Sequence, residues 1–399
     1  VNQAVHESRA ALQPRSGPEP AVRAGAPALR IEVVTSEAGW LGLAIAWRAL
    51  ELRCANASVF LTWDWQWLWW QSYGRLCRGT PCVLVARSGD EVVGVLPLYV
   101  QRQRSLGVLP IRLLRMVGTG GDTSPDDLGP MVADEHLGEV SRAFARHIVH
   151  GLGGWNRLQL SDLRPRTEFV QALQQNAAAA GLVVHESESA RIPWGPLPAT
   201  WADYLASLSS NRRQQLRQRR RRFEKLEGAR FRVCSDDGEL DAVFARLADL
   251  HRRRWQSRTE RHAFSTPAYM AFHGELVRAL NARGRLRLFA LEAEGEMIAV
   301  LYCMRFRDEL LYFQGGFDPQ RADVSPGQVL MGHAIEAAIA EGCTVFDMLK
   351  GDYDHKRHFF AESRATVEID ASQPGWPSWA WRLKGALARL RQVVAGEAV

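Results

Sequence analysis

Lysine is nearly absent from this chain: of its 50 basic residues only Lys225, Lys350, Lys356 and Lys384 are lysines, and the rest are arginine. Long apolar runs are missing too. No stretch approaches the roughly 20 uninterrupted apolar residues that cross a bilayer. No basic patch followed by an apolar run opens the chain, as a signal peptide would. The expected location is therefore the cytoplasm. The six cysteines (Cys54, Cys77, Cys82, Cys234, Cys303 and Cys343) form no CxxC pair and have no histidine at metal spacing. A zinc site needs clustered soft ligands, so no metal is expected, and the thiols read as reduced and buried. What remains is ordinary globular composition, 46% hydrophobic and 24% charged over 399 residues. That is enough for two domains or one duplicated unit.

Residues 1–29, rich in Ala, Pro, Gly and Arg without periodicity, read as a disordered tail. Order is expected to begin with a strand at 29–34. Thr62 is placed to cap a helix on which Trp63, Trp67 and Trp70 share a face, a core wedge rather than a ligand platform. Residues 82–86 and 92–99 read as a hairpin around Ser88, Gly89 and Asp90. The same grammar recurs at 286–291 and 297–302 around Glu294 and Gly295. The two hairpins align without a gap, Val83 with Leu288, Glu91 with Glu296 and Gly94 with Ala299, which suggests an internal duplication. Gly118 to Asp122 and Pro125 to Pro130 read as loops with clustered carboxylates. A helix at about 135–151 and a strand at 157–160 follow, and 191–198, with three prolines, reads as an extended linker. Further helices are expected at 201–208, at 212–228 behind an Asn211 cap, at 239–255 and at 267–282. A strand at 310–314, a helix at 326–341 and a buried strand at 344–349 complete a mixed α/β pattern.

Two places carry chemistry. Gly315, Gly316, Phe317, Asp318 and Pro319 end a strand, and Ser325, Pro326, Gly327 and Gln328 start a helix. Ser suits the N-cap and Pro the first helical position, and Gly327 lets a ligand approach the backbone. The free amides and dipole of such a start favour an anion, and a pyrophosphate would fit. After the next strand the chain turns abruptly polar: Asp347, Lys350, Asp352, Tyr353, Asp354, His355, Lys356, Arg357. The end of a buried strand is where α/β proteins seat ligands, and these groups include candidate bases and acids.

With these motifs the sequence resembles a known family. The pattern runs Leu205-x-x-Leu208-Ser209, an Arg-rich helix, then Leu250-His251-x-x-Arg254-Trp255. It continues through Leu291, Gly295-x-x-Ile298-Ala299, Tyr312, Gly316-Phe317-Asp318-Pro319, Ser325-Pro326-Gly327 and Phe346-Asp347-x-Leu349-x-Gly351. It is similar to the GNAT-type acetyltransferases of the CelD/BioF2-like kind, related to CelD of bacterial cellulose biosynthesis and in turn to the FemAB/FemX aminoacyl transferases. The resemblance implies an α/β (α+β) fold of tandem GNAT-like domains, each a mixed, mostly antiparallel sheet flanked by helices. It implies an N-terminal domain at 30–190 and a C-terminal one at 191–370, with a basic helical insertion at 201–260. An amphipathic helix at 371–399 would follow. The second domain would bind acetyl-CoA or another acyl-CoA as co-substrate, without a metal. Its phosphates would meet Ser325, Gly327 and Gln328, and its acyl arm would lie along Tyr312, Gln314, Gly315 and Gly316. His251, Arg254, Trp255 and Tyr353 would face the acceptor, and Asp347, Lys350, Asp352, His355 and Lys356 would serve catalysis. The family commonly has Tyr-Lys after the glycine turn; here the pair is His355-Lys356, with Tyr353 two residues earlier.

The function implied is acyl transfer to an amine or hydroxyl of a saccharide related to the cell envelope or of a small molecule. The alternatives are a Fem-like transferase that uses aminoacyl-tRNA, or a non-catalytic accessory protein of exopolysaccharide biosynthesis. The basic helix (Arg212, Arg213, Arg217, Arg219 to Arg222, Lys225) offers a grip for RNA phosphates or an anionic glycan, although no aromatics interleave it. The C-terminal helix, with Trp376, Trp379 and Trp381, offers a peripheral membrane contact.

Overall fold

The computed structural model describes residues 28–105, 109–255, 263–351, 356, 359, 360 and 362–374. The tail expected at 1–29 lies outside them up to residue 27, and so does the C-terminal helix beyond residue 374.

The chain opens with strand β1 (Leu29–Val34), then helices α1 (Glu37–Leu41), α2 (Ala44–Glu51) and α3 (Trp63–Tyr73). Thr62 caps α3 as expected, accepting from the Trp65 amide. The tryptophans are core: Trp65 and Trp69 are fully buried, and Trp63 stacks on Trp67 at 5.5 Å. Strands β2 (Gly79–Pro81), β3 (Val83–Ser88), β4 (Glu91–Leu96), β5 (Leu98–Ser105), β6 (Leu109–Met116) and β7 (Met131–Val132) follow. The return strand expected at 92–99 is therefore broken. Pro97, which has no amide to give a ladder, separates β4 from β5, and the two join different sheets. Helix α4 (Leu137–Arg146), strand β8 (Arg157–Leu163), helix α5 (Glu168–Ala179) and strand β9 (Val183–Pro196) complete the first half. The linker expected at 191–198 is mostly the end of β9, a long inner strand.

The second half runs α6 (Trp201–Ser207), α7 (Ser210–Phe223), β10 (Arg230–Cys234), α8 (Leu240–Trp255), α9 (Pro267–Ala282), β11 (Leu286–Ala293), β12 (Glu296–Phe306) and β13 (Glu309–Phe317). It ends with α10 (Pro326–Ala340), β14 (Val345–Asp347) and β15 (Glu362–Ser372). Ser209, not Asn211, caps α7, its hydroxyl accepting from the Arg212 amide.

Four strands of the first half form one sheet, in the order β1-β3-β4-β7. All other strands share an eleven-stranded sheet, β10-β11-β12-β13-β14-β9-β15-β8-β6-β5-β2. Among the described strands, pairing is antiparallel except for β13 with β14 and β6 with β8. The fold is thus mixed α/β with mostly antiparallel sheets, as expected, but the sheets do not divide one to each half. β15 lies between β9 and β8 and joins the halves. The repeated hairpins are both present. In β3–β4 the register shifts between Ala86 and Arg87, and in β11–β12 between Leu291 and Glu292. These are aligned positions of the two hairpins, so even the irregularity recurs.

Side chains also tie the halves together. Trp65 of α3 packs edge-on against Phe272 of α9 at 5.1 Å. The loop before β7 is strapped by Tyr99, whose hydroxyl donates to the Thr119 carbonyl (2.7 Å), and by Tyr73, which donates to Asp122 (2.5 Å). All six cysteines are buried and unpaired.

Candidate active site

Strand β13 pairs with β14 only through Glu309, Leu310 and Leu311, because β14 stops at Asp347. Among the described residues, the edge of β13 that faced β14 has no strand partner beyond Leu311. The strand also carries a bulge. Tyr302 opposes Gln314 and Cys303 opposes Tyr312, which leaves Phe313 as the extra residue. Bulges re-aim the side chains beside them, and the effect here is visible. Tyr312 packs with the cluster around α10, whereas Phe313 packs on the opposite core, 4.8 Å from the ring of His273. Gln314 is turned toward the Tyr269 hydroxyl.

Where β13 leaves β14, a cavity of about 280 Å³ opens, lined among others by Arg254, Tyr312, Gly315, Gly316, Phe317, Ser325, Gly327 and Gln328. Of the residues expected to hold a donor, all but Gln314 line it. Helix α10 begins at its wall with Pro326 in the first turn, as expected. The capping expectation is corrected. Ser325 sits at the N-cap position in the left-handed conformation (φ 51°, ψ 55°), and its hydroxyl makes no capping bond. The cause is the 3-10 turn Pro319–Val324, which ends on Ser325 and leads directly into the helix. Its carbonyl accepts from Gln328 and Val329. Among the described residues no acceptor meets the Gly327 amide, so a donor remains at the cavity wall.

Glycines set the clearances. A Cβ on Gly316 would lie 2.7 Å from the His251 amide nitrogen and 2.9 Å from the Leu247 carbonyl oxygen. Gly316 thus lets α8 settle onto β13. A Cβ on Gly315 would lie 2.7 Å from the Tyr312 hydroxyl. Helix α8 in turn brings Arg254 to the cavity, its guanidinium 4.9 Å from the centre of the Phe317 ring. His251, on the same helix, is buried, 4.9 Å from the ring of Phe264, and does not line the cavity. Trp255 ends α8. Burial pushes the Tyr312 phenol up to about 12, so it stays protonated at neutral pH.

The turn after β14 gathers differently from what the sequence suggests. Lys356 is buried, and its Nζ donates to the carbonyls of Met348 (2.7 Å), Leu349 (3.0 Å) and Lys350 (2.9 Å). The same ammonium stands 5.7 Å from the centre of the Tyr312 ring, so the turn borders the cavity. Asp347 and Lys350 do not line it. Asp347 accepts from the Leu349 amide (2.7 Å) and from Arg364 (2.7 Å). Burial holds its carboxyl above the usual range despite Arg364. The Lys350 amide donates to Asp126 (2.8 Å), and its Nζ lies 2.7 Å from Asp162. Arg364 also holds Asp127. These acidic and basic side chains form a largely buried polar cluster between the halves. Sequence reasoning missed it: the Asp126-Asp127 pair was visible only as loop carboxylates, and Arg364 gave no signal. Asp352, Tyr353 and His355 lie outside the described residues. Among the described residues no group of His, Cys, Asp and Glu is placed to hold a metal ion, and no helix is long and apolar enough to cross a membrane.

A sheet whose strands part beside a helix start, with a bulge in the strand at the opening, frames the cavity. Residues 210–357 match the acetyltransferase (GNAT) domain family. The structure of FemX is similar in fold, with a TM-score of 0.57 and 14% identity over 86% of this chain and 96% of that one. A tandem GNAT protein from the clavulanic acid biosynthesis pathway aligns over 88% of this chain and 100% of its own, at 13% identity and a TM-score of 0.45. No curated protein matches the chain in sequence.

Proposed function

We propose that the protein moves an acyl group, acetyl in the first instance, from an acyl-CoA to an amine or hydroxyl of a small-molecule or cell-envelope saccharide acceptor. The carrying observation is the gap between β13 and β14, which opens onto an uncapped helix start. The Gly327 and Gln328 region suits a diphosphate, since helix-start amides favour anions, and Arg254 adds a cation. The free edge of β13 beyond Leu311 suits an extended amide-bearing arm, which can pair with it as a strand does. A backbone amide on that edge would polarise the thioester carbonyl.

In the transfer, the acceptor's nitrogen or oxygen bonds to the acyl carbon as the carbon–sulfur bond breaks. Tyr312, protonated and in the cavity, is suited to give the leaving sulfur its proton. Asp347, Lys350 and Lys356 are then positioning residues that hold the turn beside Tyr312. Asp352 and His355 remain the expected proton acceptors. The domain division at about residue 190 belongs to the same reading, with β9 and β15 as the seam. The test is titration of the purified chain with acetyl-CoA, followed by calorimetry and thermal melting. Saturable binding at one site is expected, and its absence with acetyl-CoA and longer acyl-CoAs alike would end this reading.

A further inference from the structure

Asp126, in the loop before β7, is fully buried, and its Oδ1 has no hydrogen-bond partner among the described residues. Its Oδ2 accepts from the Lys350 amide (2.8 Å). The Lys350 ammonium is shared unequally: it stands 2.7 Å from Asp162 of β8 and 3.7 Å from the idle Oδ1 of Asp126. The Ser189 hydroxyl of β9 donates to the same Asp162 oxygen (2.7 Å). Asp347 of β14 also faces Asp126. Around these groups lie Asp127, Arg164, Arg364 of β15 and Glu309 of β13. The backbone is constrained here as well. Asp127, Asp162 and Leu349 all take the left-handed conformation, with φ of 50°, 62° and 52°. Aspartate tolerates it, but leucine has no polar side chain to compensate it locally. Such residues persist where their surroundings over-determine them, and they cluster at working sites.

A buried carboxyl oxygen without a donor is a place for a proton. Burial pushes this carboxyl up to about 8, so the proton is present at neutral pH. With Oδ1 protonated, the ammonium rests on Asp162, as the structure shows. Once the proton leaves, a buried negative oxygen with nothing to accept from stands 3.7 Å from a cation, and leaving it unpaired is costly. The ammonium is then drawn from Asp162 to Asp126. Lys350 does not move alone. Its carbonyl accepts from the Lys356 Nζ (2.9 Å), and that second ammonium stands 5.7 Å from the centre of the Tyr312 ring at the cavity. We infer that Asp126 is a positioning residue of the cavity: whether it carries a proton decides which carboxylate Lys350 rests on and, through Lys350, where Lys356 stands beside Tyr312. The consequence for a bound ligand rests on the acyl-transfer reading; the exchange of Lys350 between carboxylates does not.

The scarcity of lysine makes the exchange observable. Only Lys225, Lys350, Lys356 and Lys384 contribute side-chain signals in nuclear magnetic resonance of the full chain carrying isotope-labelled lysine, and single Lys→Arg variants assign them. In the wild type the Lys350 signal is expected to shift with a midpoint at about pH 8. Asp126→Asn should abolish that step. Asp162→Asn leaves Lys350 to Asp126 alone and should move the midpoint to lower pH, a check that stands even where the first variant does not fold. In parallel, acetyl-CoA binding is measured by calorimetry on either side of the midpoint. Wild type is expected to bind about threefold more weakly, or weaker still, on the alkaline side, and Asp126→Asn to bind alike on both. A Lys350 signal without a step in this window, or with the same step in Asp126→Asn, overturns the inference. So does wild-type acetyl-CoA binding that is equally tight on both sides. No acetyl-CoA binding on either side ends the acyl-transfer reading instead, and the Lys350 signal alone then decides.

Discussion

Arg364 of the last strand donates to Asp347 at 2.7 Å through one terminal nitrogen, while the other holds Asp127 of the first half at 2.5 Å. One planar side chain therefore bridges two buried carboxylates from different halves of the chain. Removing one partner of such a group strands a charge out of water. Arg364→Met is expected to lower unfolding stability by about 3–5 kcal/mol, measured by urea denaturation. Adding Asp347→Asn should recover part of the loss, because the two sites are coupled. Equal and additive losses would argue against the bridge.

Asp126 gives the cluster a pH signature. Burial raises its carboxyl to about 8, against the nearby Lys350 charge and with help from Asp347 and Asp162. In the unfolded chain the group returns to about 3.9. Between those values the folded chain holds a proton that the unfolded chain has released. Its contribution to stability therefore falls as pH rises from about 4 to about 8 and is flat above. Melting temperatures across that window should decline less in Asp126→Asn than in the wild type. Parallel declines would show that Asp126 is not the titrating group.

Gly316 is where a helix meets a strand with no room for a methyl group. A Cβ there would press on the His251 amide and the Leu247 carbonyl, both backbone atoms. Gly316→Ala is expected to cost about 1–3 kcal/mol and to weaken acetyl-CoA binding by moving Arg254. Unchanged melting and binding would mean that α8 is not seated as described.

At the cavity wall, a Cβ on Gly327 would stand 3.0 Å from the Phe317 ring. Gly327→Leu should fill the space beside the helix start with little loss of stability. Wild type at about a hundredfold excess over the dissociation constant gains about 2.7 kcal/mol from its ligand. The variant should gain almost none, as read by thermal shift. A full shift in the variant would place the ligand elsewhere.

Tyr312→Phe removes a hydroxyl and little volume. The expected result is a kcat lower by about a hundredfold, within the range of proton-transfer catalysis, with KM nearly unchanged. A change confined to KM would make the phenol a binding group and leave the proton donor to be found.

The elements of the second half were legible because periodicity and punctuation agreed. Pro267 and Pro326 mark helix starts, and the Glu294-Gly295 turn marks a hairpin. Misreadings came where tertiary pairing overrode a local signal. Pro193 and Pro196 made β9 look like a linker, yet that strand is enclosed by β14 and β15. The cavity wall was readable from Gly315, Gly316 and Gly327, which line it. Gln314 does not line the cavity, because the bulge at Phe313 breaks the alternation of faces. The charged run after β14 looked like one reactive cluster. Its described members are divided between carbonyls, first-half carboxylates and an arginine 17 residues downstream, partners that no local pattern reveals.

The position of β15 also has consequences for how the chain reaches its native state. Residues near the far end of the described chain must slot between two strands from the first half, so β8 and β9 cannot find their shared neighbour until almost everything between has been synthesised. Such distant pairing is slow. Until it is completed, both strands present bare edges of the kind that recruit wrong partners. Truncation ahead of residue 362 should therefore favour aggregation over a folded N-terminal fragment.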